Sequence, residues 1–268
     1  MTKIAPTAVV DKTAQLADDV FVGPGCLIGP HSIIGPGCIL KANVIIGSRV
    51  TLGRNNRIFP NCVLGEEPQI VGLIDPPTAL IIGDHNTFRE QVTINRGSPQ
   101  GGGKTTIGNN NYLMIAAHLG HDCEMEDNCV LGNAVAIAGH CKIERNAWLS
   151  AFSTMQQFST VGRFTFSAGF SGIYNDQPPF VRVAGYPCRV RGLNLIGLKR
   201  AGFSEQNLAA LDKAYRRLFR KTGSETLAHA VEDLAAQNGL DENVRCLLDS
   251  LRRRHQHRTG RYRELFRP

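Results

Sequence analysis

Aliphatic side chains return along this chain at a fixed, short interval. Ile4, Val10, Leu16, Val22, Ile28, Ile34, Leu40, Ile46, Leu52, Ile58 and Leu64 stand six residues apart without a miss. Glycine often follows them, at Gly23, Gly29, Gly35, Gly47, Gly53 and Gly65, as a turn requires where the backbone takes φ > 0 or passes close to a neighbour. Four residues after the aliphatic come small or apolar side chains such as Val20, Cys26, Ser32, Cys38, Val44 and Val50. A period of six fits neither an amphipathic helix nor an alternating strand, but it does fit one short strand and one turn per flat face of a coil. Three such hexads, roughly eighteen residues, close a triangular coil. Stacked coils bury the aliphatic column and pair their strands from coil to coil, leaving only the ends of the stack to be covered.

The pattern is interrupted twice. The stretch 66–81 lacks the glycine pattern and carries Pro68, Pro76 and Pro77, so it reads as an outward loop, although Ile82, Phe88 and Ile94 keep the original phase. The phase breaks between Ile94 and Ile107, a gap of thirteen across the glycine-rich segment 96–104, which predicts a second loop. Hexads then resume at Ile107, Leu113, Leu119, Met125, Leu131, Ile137, Ile143, Leu149, Met155 and Val161 and end near Ile173, about ten coils in all. From Ser204, a candidate N-cap, the period turns helical, with Leu208, Leu211, Ala214, Tyr215 and Leu218 on one face. Gly223 is the expected stop. Ser224 is the expected cap of a second helix reaching about Gln237, and Asp241 that of a third bearing Val244, Leu247, Leu248 and Leu251. The expected organisation is a mainly β repeat domain over 1–190 and an α-helical domain over 191–268.

Composition adds limits. No h-region opens the chain and no eighteen apolar residues run together, so neither an export signal nor an integral membrane segment is expected and the cytoplasm is the expected location. In a reducing compartment eight cysteines are not a disulfide framework. Six of them, Cys26, Cys38, Cys62, Cys123, Cys129 and Cys141, share one place in the repeat, which points to packing rather than metal binding. The net charge of +7 suits an anionic partner; much of it is C-terminal, where Arg252, Arg253, Arg254, Arg258, Arg261, Arg263 and Arg267 face only Glu264. This end is either a docking surface or a solvated tail.

Candidate chemistry lies in histidines. The segment from Gly97 to Thr105 has glycines and a lysine, but serine stands at 98 where a P-loop needs glycine, and no helix follows. His118, His121 and Asp122 lie in HLGHD, and His140 follows His121 by nineteen residues. At roughly eighteen residues per coil, His121 and His140 share a corner of adjacent coils. A neutral imidazole held by a carboxylate takes a proton from a hydroxyl near neutral pH. Corner histidines with purely structural bonds, and a zinc site built from three imidazoles, are the competing readings.

Specific strings carry a resemblance over nearly the whole chain: RGSPQGGGKTTIG at 96–108, MIAAHLGHDC at 114–123, AIAGH at 136–140, QQF at 156–158 and GLNLIGLKRAGFS at 192–204. The chain resembles the UDP-N-acetylglucosamine acyltransferases that begin lipid A synthesis. This implies a left-handed parallel β-helix in a homotrimer, active sites between neighbouring subunits, and no cofactor or bound metal. It also implies a 3-hydroxyacyl donor on acyl carrier protein, the 3-hydroxyl of a UDP-linked N-acetylglucosamine-type sugar as acceptor, and no nucleic-acid partner. By position, the resemblance makes His121 the base, Asp122 its orienting partner and the Gly139 N–H an oxyanion donor. His118, His140, Gln157, Asn194 and Arg200 would contact nucleotide, sugar or the carrier's pantetheine arm, with Gln69 near the sugar and Gly169, which has no side chain at the position that limits acyl length, leaving room for a longer chain. Several matched positions depart from the pattern. Ile70 and Gly72 replace an Asp and a Lys near the sugar. Asn95, Gln156 and Pro187 replace histidines, Ile196 replaces an acid and Ala201 an arginine. A different nucleotide sugar, amino sugars included, is therefore an open acceptor, and a zinc-dependent enzyme of carbonic-anhydrase type or a non-catalytic scaffold is the alternative of a different class.

Overall fold

The computed structural model describes residues 2–220 and 225–255. Short strands, most of two residues, alternate with turns and form three parallel sheets, each taking every third strand. The first sheet starts at Lys3–Ile4, the second at Val9–Val10 and the third at Gln15–Leu16. Lys3 pairs with Phe21 and Ile4 with Val22, so one coil takes eighteen residues, as the spacing requires. The molecule is a left-handed parallel β-helix closed at one end by helices.

Each inward aliphatic sits on its counterpart in the next coil. In the first sheet the column runs Ile4, Val22, Leu40, Ile58, Phe88, Leu113, Leu131 and Leu149, all buried from Val22 onward. Each fully buried Leu or Ile contributes about 2 kcal/mol by leaving water. At Gly23, Gly29, Gly35, Gly47 and Gly53 the glycine after the aliphatic is there for closeness rather than for φ: a Cβ on Gly29 would lie 2.7 Å from the Gly47 carbonyl carbon. Positive φ falls two residues later, at His31, Asn43, Asn55 and Asn61 among others, where asparagine tolerates the left-handed conformation.

Both loops are shorter than the sequence indicated. Strands Val63–Glu66 and Ala79–Ile82 confine the first to 67–78, and strands Thr93–Asn95 and Lys104–Ile107 confine the second to 96–103. The stack also runs past Ile173. Val181–Ala184 pairs with Phe166–Ser167, and Arg189–Leu193 returns antiparallel to it. Helix α1, Leu195–Arg200, then begins ahead of Ser204, with Asn194 as its cap. Ser204 caps α2, Glu205–Phe219, in a capping box with Asn207. Thr226 caps α3, Leu227–Ala235. Asp241 accepts from the N–H of Asn243 at 2.8 Å at the start of α4, Glu242–His255. The predicted apolar faces of α2 and α4 are buried in a second core with Phe180, Val181 and Leu198. Gly223, Ser224 and the arginines beyond 255 lie outside the described residues.

Candidate active site

Everything distinctive gathers on one edge of the prism, between the second and third sheets. Both loops leave the coil there, one after Leu64 and one after Ile94. The next three coils turn the same edge with Gly120-His121-Asp122, Ala138-Gly139-His140 and Gln156-Gln157-Phe158, since Leu119, Ile137 and Met155 pair in register. Asp122 and His140 occupy the corner slot of positive φ, at 60° and 62°.

This stacking brings the side chains into contact. His121 Nδ1 lies 2.7 Å from Asp122 Oδ2, and His140 Nδ1 lies 3.4 Å from the same oxygen. The two imidazoles meet edge to face at 4.8 Å, and Phe158 lies flat on His140 at 4.6 Å. The Asp122 side chain is 1% exposed. Burial, the largest single influence, pushes its carboxyl up, but hydrogen bonds from His121 and Ser98 and the charge of His140 outweigh it and hold the group below the ordinary carboxylate range. The Gly139 peptide lies directly against the His121 ring, because a Cβ on Gly139 would sit 2.7 Å from His121 Nε2. Among the described residues the Gly139 N–H donates to no backbone carbonyl. The coil needs no donor at that turn position, which is proline at Pro24, Pro30, Pro36 and Pro60.

His118 stands on the outer face of the second sheet, its Nδ1 2.8 Å from Thr93 Oγ1. Burial and the nearby His121 keep its pKa below the usual histidine value. Gln157, half-buried, lies on the same edge one coil beyond Gly139, and Gln69 is exposed on the first loop. Three predicted residues are placed elsewhere in the chain. Gly169 turns the edge between the first and second sheets, where Phe152 and Phe170 stack at 4.9 Å. Asn194 uses its side chain to cap α1 and to donate to the Phe164 carbonyl at 2.9 Å, and Arg200 is exposed on the last turn of α1. Sequence reasoning missed Ser98, Thr105 and Phe158. Ser98 donates to Asp122 through its N–H at 2.7 Å and its Oγ at 2.6 Å, and Thr105 Oγ1 accepts the Asp122 N–H at 2.8 Å. The available signal was that both interruptions fall after residues of the same column.

Comparisons with known proteins agree with this geometry. The model described as UDP N-acetylglucosamine O-acyltransferase, domain 2, matches residues 176–260, and the bacterial transferase hexapeptide model matches 13–48. An acyl-[acyl-carrier-protein]–UDP-N-acetylglucosamine O-acyltransferase of Stutzerimonas stutzeri (strain A1501) is 43% identical over 251 residues, 94% of this chain and 96% of that protein. The chain belongs to the UDP-N-acetylglucosamine O-acyltransferase family. Another member, from Stenotrophomonas maltophilia (strain R551-3), is 45% identical over 92% of this chain and 94% of its own length. Among solved structures, the family member from Moraxella catarrhalis RH4 superposes with a TM-score of 0.88 at 36% identity, over 93% of this chain and 96% of that one. The Francisella novicida enzyme gives 0.88 at 34%, over 92% and 90%.

His121, Asp122 and His140 also place one ligand atom each within 4.8 Å of one another, a spacing that a metal ion could use. The fit is poor. Tetrahedral zinc with bonds near ~2.05 Å holds its ligand atoms ~3.3 Å apart, whereas His121 and Asp122 are joined at 2.7 Å by a hydrogen bond. The third imidazole of the zinc reading, His118, is engaged by Thr93 instead.

Proposed function

We propose that this chain moves a 3-hydroxyacyl group from acyl carrier protein to the 3-hydroxyl of a UDP-linked N-acetylglucosamine-type sugar, the first step of lipid A synthesis. The observation that carries the reading is the His121–Asp122 hydrogen bond of 2.7 Å directly beneath the Gly139 amide.

Asp122 fixes the His121 tautomer by accepting a hydrogen bond from Nδ1–H, which leaves Nε2 as the basic nitrogen. Nε2 takes the proton of the sugar hydroxyl as its oxygen attacks the thioester carbonyl. The Gly139 N–H donates to the resulting oxyanion, a contribution typically of about 3 kcal/mol per donor. As the tetrahedral intermediate collapses, the carbon–sulfur bond breaks and the imidazolium returns its proton to the departing pantetheine thiolate. His118, His140, Gln157 and Gln69 border this edge as substrate contacts. Gly169, Asn194 and Arg200 do not reach it within one chain, which supports a homotrimer whose neighbouring subunit completes each site.

One observation favours a second acceptor. Asn95 is 7% exposed at the same edge, and its Oδ1 has no hydrogen-bond partner among the described residues. A sugar bearing an amine would offer the missing donor. The test is acyl transfer from acyl carrier protein, read by mass spectrometry, with UDP-N-acetylglucosamine and its 3-amino analogue side by side. His121→Ala is expected to lower turnover about 10³-fold; unchanged turnover removes the mechanism.

A further inference from the structure

We propose that Ser98, carried by the second loop, is a positioning residue that holds the Asp122 carboxylate in the orientation from which it grips His121; this deepens the acyl-transfer reading and rests on it for its kinetic consequences. Asp122 Oδ2 has two imidazole neighbours, His121 at 2.7 Å and His140 at 3.4 Å. Left alone, the carboxylate could turn from one to the other. Ser98 prevents this by pinning both oxygens, its N–H on Oδ1 and its hydroxyl on Oδ2. The hydroxyl's direction is itself fixed, because Ser98 Oγ accepts the Gly101 N–H at 3.2 Å and so sends its own proton to Asp122.

The loop is shaped around the carboxylate. Ser98 is fully buried, and the single-turn helix Pro99–Gly101 lies so close that a Cβ on Gly101 would fall 1.9 Å from Asp122 Cγ. The loop's stem is anchored in turn: the Arg96 N–H donates to the Glu66 carbonyl at 2.9 Å, and its buried guanidinium reaches the Gly65 carbonyl and pairs with Asp75 of the first loop. A serine on a loose surface loop would do none of this.

Among the described residues, the titratable groups facing Asp122 are His121 on its own corner, His140 on the next coil and the Cys123 thiol behind it, with Ser98 and Thr105 as neutral partners. His118 faces His121 from the second sheet. Without the Ser98 hydroxyl the carboxylate is free to turn toward His140. His121 then loses the partner that fixes its tautomer and stabilises the imidazolium formed as the sugar hydroxyl is deprotonated.

The experiment uses the full chain and the variants Ser98→Ala and Ser98→Thr, with kcat and KM followed against pH and the histidine ring nitrogens titrated by ¹⁵N NMR. Ser98→Ala is expected to lower kcat roughly tenfold, as removal of an outer partner does for metal-bound histidines, to leave KM unchanged and to move the acid limb to lower pH, because a less firmly held carboxylate stabilises the imidazolium less. Ser98→Thr restores both. A folded Ser98→Ala protein with the parent pH profile and an unmoved imidazole titration overturns the proposal, even if His121→Ala is inactive. Conversely, if the parent transfers no acyl group yet Ser98→Ala shifts the titration, the positioning role stands and the functional reading falls.

Discussion

At the scale of single residues, the recurring cysteine has a task beyond filling space. Each of the six inward cysteines donates its S–H to a backbone carbonyl at the corner of a neighbouring coil, as from Cys38 to Gly53 at 3.0 Å and from Cys62 to Arg89 at 2.9 Å. Ser32 does the same to Gly47 at 2.8 Å, and Asn56 to Gly83 at 2.8 Å. Small donors therefore interchange at this position, because a buried carbonyl left without a partner is costly. Burial pushes the Cys62 and Cys129 thiols up to about 12, so neither forms thiolate near neutrality. Iodoacetamide should leave both unmodified in the native protein and label them only after denaturation, as peptide mass spectrometry would read. His121, Asp122 and His140 were legible in the sequence because a fixed coil length turns spacing into proximity. Ser98 was not, since its contact depends on the path of an irregular loop that no period describes. Gly169, Asn194 and Arg200 came from family position alone, and one chain leaves them apart from the histidines.

At the scale of elements, the repeat is limited by how closely successive turns approach. A Cβ on Gly47 would meet the Gly65 carbonyl oxygen at 2.2 Å, whereas one on Gly169 would meet Ala151 O at 3.3 Å. Gly47→Ala is expected to destabilise the fold by about 3 kcal/mol and Gly169→Ala far less, a contrast that urea melts of the two variants would measure. The long runs of hexads were readable because each inward residue is both aliphatic and periodic. The closing hairpin and α1 were not. After Ile173 the segment YNDQPP offers no aliphatic in phase, and a helix of six residues is too short to display its own period. The stop and cap expected at Gly223 and Ser224 fall outside the described residues, and the cap that is seen, Thr226, accepts the His229 N–H at 3.2 Å.

At the scale of the molecule, the proposed trimer gives a clear expectation. Light scattering on the purified protein should return three chain masses, and a monomer that still transfers acyl groups would sink the shared site. Among the described residues no helix is long and apolar enough to cross a membrane. The carrier's docking surface would lie on the basic side of the chain, so its binding should weaken as salt rises. Arg252 and Arg253, at the start of the arginine-rich end, are already engaged by Glu232 at 2.6 Å and Glu144 at 4.0 Å.

The eighteen-residue coil also makes the protein modular. Excising 23–40 would splice Val22 onto Lys41 in the register that Leu40 now holds, with no strand left unmatched. Such a protein, one storey shorter, should melt earlier yet keep its chemistry, because both loops and the histidine-bearing turns belong to later storeys. The height of the tower and the reaction it supports can then vary independently, as they would in a lineage that grew by duplicating single turns.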